Sequence, residues 1–265
     1  MEEHSELSNT QYVKVSSLIG VACGATALGI ILLRLGRYGK FSLCSIEGIG
    51  YIVSSFLFGT ALSFLGVKFS PELGMPGCPL LCNLVRRDWR AATRELKRSL
   101  KVGLKYGVVL LFLDLGLFSF FRLLGRRIAS IRYMKMPLIV GGLIIGLNAG
   151  FFEEAFCRLG LLTLLAYMIY WSLGGKFLKG SLWISNVLSA LIFTRFHHYY
   201  SPFELIGRAD PALVASLILP YLVAGLLLGY CYIKHGYESA TVAHFEVDFI
   251  IAGILIPLGL LDYLA

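Results

Sequence analysis

The sequence predicts an all-α integral membrane protein, a bundle of about seven or eight transmembrane helices. Hydrophobic residues make up 57% of the 265 residues and charged residues only 15%, and the mean hydropathy is +0.75. These values lie outside the range of soluble globular domains. Each span uses roughly 20 residues, so residues 1–265 should form a single membrane domain with little room for a separate soluble one.

The net charge of +8 raises the question of a nucleic-acid partner. Lys and Arg cluster at the ends of the apolar runs, however, where such residues anchor helices against anionic lipid headgroups. We therefore expect no nucleic-acid partner and attribute the basicity to membrane topology. The N-terminus carries Glu2, Glu3 and Glu6 and lacks the basic start of a cleavable signal peptide. The protein should be multi-pass, in the cell membrane or, in a eukaryote, the endoplasmic reticulum membrane.

The N-terminal region, residues 1–135, contains three predicted spans, at 13–33, 46–67 and 102–124. A loop rich in Pro and Gly follows the second span, and a basic amphipathic segment near 84–105 follows the loop. This segment is either a helix lying on the membrane surface or a basic extension of the third span. Asp114 interrupts the third span, and we expect it to face a pore or to pair with another helix.

The second region, residues 136–260, is the predicted catalytic core. Its first apolar run, Met136 to Trp171, would form a helix about 54 Å long, too long for one straight crossing of a hydrocarbon core of about 30 Å. We expect this helix to be bent or broken near Asn148, where freed backbone groups could line a cavity. Further spans are predicted at 181–198, 213–233 and 239–260.

Three ionisable side chains lie inside the long run: Glu153, Glu154 and Arg158. A charged residue at the centre of a bilayer costs about 2.5 to 3.5 kcal/mol on insertion scales, and such residues usually face a protein interior or a wet cavity. Glu154 precedes Arg158 by one helical turn, in the favourable order for an ion pair. We expect this pair to brace the helix, which leaves Glu153 free to act as a general base.

Two later helices carry motif residues at the same four-residue step, Phe193 with His197 and His244 with Asp248. This step places both members of a pair on one helical face, so three helices could direct their side chains into one cavity. There His197 could share a water molecule with Glu153. His244 could bind a polarised carbonyl, with Asp248 orienting its ring or touching the substrate.

These motifs resemble those of the CAAX prenyl protease and bacteriocin-processing family of intramembrane proteases (the CPBP or ABI family), which includes the type II CAAX endopeptidases. The family pattern is E-E-x-x-x-R, then F-x-x-x-H, then H-x-x-x-N or H-x-x-x-D, and the resemblance covers roughly residues 141–250. It implies a conical active-site cavity that opens to the membrane. It also implies a set of catalytic residues, Glu153, His197, His244 and Asp248, and a set of supporting residues, Glu154, Arg158 and Phe193.

The resemblance further implies an endopeptidase that hydrolyses a peptide bond in a hydrophobic or lipidated substrate, either a prenylated peptide or a leader peptide. Glu153 and His197 would activate the water, and His244 with the residue at 248 would stabilise the oxyanion. No cofactor is expected. The alternative is a zinc-dependent protease with Glu153, His197 and His244 as ligands, although the H-E-x-x-H spacing of many zinc peptidases is absent.

Two points stay open at this stage. An ionised Asp248 can only accept hydrogen bonds, so it is either protonated, or it orients His244 while other donors form the oxyanion hole. Two other functions are also compatible with the sequence. One is a non-catalytic protein of the same fold that confers bacteriocin immunity or scaffolds a partner. The other is a transporter that uses its buried carboxylates as ion sites. An inverted repeat would favour the transporter, and none is evident.

Overall fold

The computed structural model describes residues 7–38, 46–124, 138–197, 211–258 and 260, and these ranges are helical with short connections and no strand. The all-α prediction is therefore confirmed. In chain order the α-helices are α1 (Asn9–Tyr38), α2 (Ile46–Phe69), α3 (Pro79–Val85), α4 (Trp89–Leu123), α5 (Leu138–Asn148), α6 (Thr163–Ser172), α7 (Leu178–Phe196), α8 (Pro211–His235) and α9 (Tyr237–Ile250).

Five helical segments in the described ranges are long and apolar enough to cross a membrane: Asn9–Leu33, Glu47–Phe69, Trp89–Leu123, Ile139–Ser172 and Val214–His235. The chain is therefore a multi-pass integral membrane protein. The two other predicted spans coincide with α7 and with α9, which has only 14 α-helical residues. Many large apolar side chains on the outer faces are exposed, including Phe58, Phe112 and Val140, as lipid contact requires.

The basic segment near 84–105 is not a separate surface helix, because α4 runs without interruption from Trp89 into the third span. The segment is therefore the basic extension of the third span, one of the two predicted alternatives. Asp88 caps α4 by accepting a hydrogen bond from the backbone N–H of Ala91 at 2.9 Å. This bond satisfies one of the N–H groups that the first turn of α4 leaves without a partner in the helix. Arg98 donates to the carbonyl of His235 at 2.9 Å, so the extension is attached to the C-terminus of α8.

The long run that begins at Met136 forms one continuous helix over Ile139–Ser172, so it is not broken. At the predicted position its hydrogen-bond pattern changes instead, since Ala149–Glu153 and Ala155–Leu162 are π-helical. A π-helix pairs residue i with i+5, and such segments are frequent at functional sites. The residues that carry the first motif therefore lie in the widened part of the helix.

Neighbouring helices bind carbonyl groups of this widened part. The hydroxyl of Tyr237, on α9, donates to the carbonyl of Phe151 at 3.0 Å. The hydroxyl of Ser189, on α7, donates to the carbonyl of Cys157 at 2.7 Å. A backbone polar group without a partner is costly in an apolar interior, so these two bonds stabilise the irregular backbone on either side of the glutamates.

Helix α9 is placed by its contacts with α8 and α4. A single residue, Gly236, connects α8 to α9 with φ of +92°, a conformation that favours glycine. Along α4, glycines permit close approach: a Cβ at Gly103 would meet Val242, and one at Gly107 would meet the Glu246 side chain and the Ala243 carbonyl. Because residue numbers rise together along the contact, α4 and α9 run parallel.

Candidate active site

A cavity of about 130 Å³ lies among α4, α5, α7, α8 and α9. One part of its wall is polar and holds Asp114, His197, Tyr221, His244 and Asp248. The remaining wall is apolar: Leu110, Phe118, Ile145, Phe193, Pro220, Ala224, Val247, Ile251, Ala252 and Ile256. A few convergent polar groups in an apolar cavity are typical of an active site.

Glu153 lies between the two motif histidines. Its Oε2 atom is 3.5 Å from His197 Nε2 and 4.0 Å from His244 Nε2. Within the described part of the chain, Oε2 has no hydrogen-bond partner. The Glu153 side chain is 25% exposed as a whole, although its Oε2 atom is buried.

Hydrogen bonds at Nδ1 fix both histidine rings. His197 Nδ1 lies 2.9 Å from the carbonyl of Phe193, and His244 Nδ1 lies 2.8 Å from Glu154 Oε1. A carbonyl or carboxylate oxygen only accepts, so we assign a proton to each Nδ1. Each Nε2 atom then points toward Glu153, where a neutral ring accepts a hydrogen bond and a protonated ring donates one.

Glu154 is completely buried and has two partners through one oxygen atom. Its Oε1 lies 3.2 Å from Arg158 Nη1, and the Arg158 side chain is only 1% exposed. The expected pair is therefore present. The same oxygen also holds His244, a role that the sequence analysis had offered to Asp248. Residues 154 and 244 are 90 positions apart, and no local spacing in the sequence indicates this contact.

The Phe193 ring packs against the Arg158 guanidinium and against both motif histidines. The Arg158 guanidinium lies 4.3 Å from the Phe193 ring centroid, a cation–π distance. The ring centroids of His197 and His244 lie 4.4 Å and 5.6 Å from that of Phe193. Tyr221 stacks on His197 at 4.7 Å. Tyr221 was not predicted from the sequence, where its only local signal is the neighbouring Pro220 inside α8.

Asp248 lies one turn after His244, with Oδ1 4.0 Å from His244 Nε2. Its side chain is 31% exposed and lines the cavity. It therefore faces the atom that would meet a substrate and does not bind Nδ1. Residues 198–210, which follow His197, lie outside the described part of the chain.

The described residues around the cavity contain no group of side chains arranged to bind a metal ion. Across the described residues, there is no set of three or more His, Cys, Asp or Glu side chains arranged to hold one. The candidate ligands Glu153, His197 and His244 are close together, but they do not form such a set.

Comparisons with known proteins give one match. Residues 135–250 match the family described as Type II CAAX prenyl endopeptidase Rce1-like, which confirms the resemblance found from the motifs. The matched segment contains Glu153, His197 and His244, and it supports a peptidase activity in general. Neither curated proteins nor solved structures give a match.

Proposed function

We propose, since residues 135–250 match the type II CAAX prenyl endopeptidase Rce1-like family, that this protein is an intramembrane endopeptidase that cleaves a prenylated peptide. The observation that carries the proposal is the convergence of Glu153, His197 and His244 from three separate helical segments, with both histidines in the wall of one cavity. A single buried histidine can serve helix packing alone. Three groups that face one another without being fully paired are better suited to chemistry.

Glu153 is the proposed general base. A water molecule bound between Glu153 Oε2 and His197 Nε2 would lose a proton to the carboxylate as its oxygen attacks the scissile carbonyl carbon. The neutral His197 ring presents the Nε2 lone pair, because its Nδ1 proton is bound by the Phe193 carbonyl. It therefore accepts the second hydrogen bond of the water and orients its oxygen.

His244 and Asp248 face the position of the developing oxyanion. A protonated His244 can donate from Nε2, since Glu154 binds its Nδ1 proton. Collapse of the tetrahedral intermediate breaks the carbon–nitrogen bond, and Glu153 returns its proton to the leaving amine. The water supplies one hydroxyl group and one proton, so Glu153 is regenerated after each cycle.

The apolar part of the cavity wall favours a hydrophobic substrate. Leu110, Phe118, Ile145 and Ile251 line it together with Ile256, and several apolar side chains of the surrounding helices face lipid. A peptide carrying a prenyl group partitions into the bilayer, because each buried CH₂ contributes about 0.8 kcal/mol. We therefore propose a prenylated C-terminal peptide as the substrate class, entering from the membrane.

The direct test is hydrolysis of a farnesylated peptide by the purified full-length protein in lipid vesicles. We expect Glu153→Gln to lower the rate by about 10²- to 10⁴-fold, because the amide cannot take the proton. Glu246→Gln is a matched control, since Glu246 lies on α9 outside the cavity. Unchanged cleavage by Glu153→Gln would overturn the base assignment. Failure of the wild-type protein to cleave would favour the non-catalytic alternative.

Chelation tests the zinc-dependent alternative. If Glu153 and His197 activate the water without a metal, dialysis against a strong chelator should leave the cleavage rate unchanged. Loss of activity that returns when zinc is added would support the metal-dependent mechanism. Magnesium added to the chelated protein serves as the control, because it disfavours histidine ligands.

A further inference from the structure

A pair of cysteines lies away from the candidate active site, in the connection between the span that ends at Phe69 and the span that begins at Trp89. Cys78 immediately precedes α3, and Cys82 follows one helical turn later. Their Sγ atoms are 3.6 Å apart, in hydrogen-bond contact. Cys78 is only 1% exposed, whereas Cys82 is the one free cysteine among the described residues that is not buried. A reactant can therefore reach one thiol, and the second thiol is in contact with the first.

The geometry of this turn permits a disulfide after a local change. A disulfide needs a sulfur–sulfur distance of about 2.0 Å, so the two Sγ atoms would approach by roughly 1.5 Å. Side chains in a helix lean toward its N-terminus, which directs Cys82 toward Cys78. Cβ atoms one turn apart are typically about 5 to 6 Å apart, and a disulfide needs about 3.5 to 4.5 Å. The turn must therefore tighten, and Cys78 can supply the movement because its φ of −129° and ψ of 72° lie outside the regular helix.

Accessibility and protonation assign different roles to the two thiols. Of the pair, only Cys82 can meet a small oxidant that approaches from solution, so it reacts first. The hydrogen bond with Cys82 and burial raise the pKa of the Cys78 thiol well above its usual value, and the thiolate is the nucleophile in exchange reactions. Cys78 therefore stays protonated until a modified Cys82 lies beside it, where proximity favours the second attack.

The same turn holds the start of α9, the helix that carries the third motif. The backbone N–H of Tyr237 donates to the carbonyl of Gly77 at 2.7 Å. The Glu238 carboxylate accepts a hydrogen bond from the backbone N–H of Leu81 at 3.0 Å. Gly77 and Leu81 are the residues directly before the two cysteines. A distortion of this turn therefore acts on the hydrogen bonds that attach it to α9.

We propose that Cys78 and Cys82 form a redox modification site, a dithiol that glutathione disulfide oxidises to an internal disulfide, and that oxidation weakens the contact of this turn with α9. The Cys82 thiolate attacks one sulfur of glutathione disulfide, which forms a mixed disulfide and releases one glutathione. The Cys78 thiol then attacks the Cys82 sulfur and releases the second glutathione, which takes up its proton. Overall, two protein thiols transfer two electrons and two protons to one glutathione disulfide.

The first test needs no substrate and is independent of the proposed endopeptidase activity. The full-length protein in lipid nanodiscs is treated with glutathione disulfide, its remaining thiols are alkylated, and its tryptic peptides are weighed by mass spectrometry. Cleavage after Lys68 and Arg86 releases one peptide, 69–86, that contains both cysteines of the pair and no other cysteine. We expect this peptide to be unalkylated and lighter by two hydrogen atoms, and to become doubly alkylated after reduction with dithiothreitol.

Single variants test the two roles. Cys78→Ser should retain the mixed disulfide with glutathione at Cys82, because the resolving thiol is missing, whereas Cys82→Ser should leave Cys78 unmodified. Cys231→Ala, which removes a buried cysteine of α8, is the control and should form the internal disulfide as the wild-type protein does. The proposal is overturned if the wild-type protein accumulates only the mixed disulfide at Cys82, or if both thiols of the pair remain free after oxidation.

Hydrogen exchange tests the link to α9. The amides of Leu81 and Tyr237 are protected by the two hydrogen bonds described above, so distortion of the turn should expose them. We expect peptides that contain these amides to exchange about fivefold faster in the oxidised protein, as for the loss of one hydrogen bond. The double variant Cys78→Ala with Cys82→Ala, treated in the same way, should show no change. Equal exchange in the oxidised and reduced wild-type protein would overturn the link, and so would faster exchange in the treated double variant.

Discussion

Glu153 and Glu154 are neighbours with identical side chains, and the fold uses them differently. Glu154 is fully buried and holds both Arg158 and His244 through one oxygen. Glu153 is 25% exposed, and its Oε2 accepts no hydrogen bond from any described residue. The residues around them divide in the same way. Glu154, Arg158 and Phe193 are buried, and we call them the dry side. Glu153, His197 and Asp248 are partly exposed, and we call them the accessible side. The dry side should determine stability, and the accessible side should determine rate.

The largest expected effect on stability is on the dry side. Glu154→Ala leaves the Arg158 guanidinium buried without its carboxylate, and removing one partner of a buried ion pair typically costs about 3 to 5 kcal/mol. Thermal unfolding in lipid nanodiscs should therefore begin at a much lower temperature. Glu153→Ala is the matched control and should unfold close to the wild-type temperature. Equal melting temperatures for the two variants would contradict the division into two sides.

An intermediate effect is expected on the accessible side. His197→Asn removes the Nε2 acceptor beside Glu153, and we expect cleavage of the farnesylated peptide to slow by about 10²-fold, with the melting temperature nearly unchanged. The double variant with Glu153→Gln should be little worse than Glu153→Gln alone, because groups that act as a unit are not additive. Fully additive losses would show that His197 works independently of the Glu153 water.

The smallest expected effect on stability comes from replacing Phe193, the aromatic member of the dry side. Phe193→Leu keeps an apolar side chain but removes the ring that contacts Arg158, and we expect a loss of about 1 to 2 kcal/mol in the free energy of unfolding. Phe196→Leu, on the same helix, is the control, because Phe196 is 66% exposed and should change stability by less than about 0.5 kcal/mol. Equal losses of stability in the two variants would show that Phe193 does not stabilise the dry side.

The helices were predictable because lipid leaves the backbone little choice. Without water to bind its polar groups, an apolar run must satisfy them internally, and a helix does so. Within the described residues, the structure accordingly has a helix in each predicted span. The residues of the three motifs were also predictable as neighbours, since a four-residue step places side chains on one helical face.

Other features could not be derived from local spacing. The sequence left two alternatives for the segment near 84–105, and only the structure shows that α4 is continuous. It predicted a bend or a break near Asn148, and the structure shows that the helix is not broken there but continues with π-helical pairing. The Tyr237 hydroxyl that binds this backbone comes from a distant helix. So does the Tyr221 ring that stacks on His197.

The sequence by itself determined that this is an all-α membrane protein and which polar residues lie at membrane depth, because hydropathy and helical periodicity are local properties. Only the tertiary structure decided what each of these residues contacts. It paired His244 with Glu154, left the Glu153 side chain partly exposed, and placed Asp114 in the cavity wall with Asp248. The physical reason is that burial and electrostatic pairing depend on distances between helices, which residue spacing within one helix does not contain.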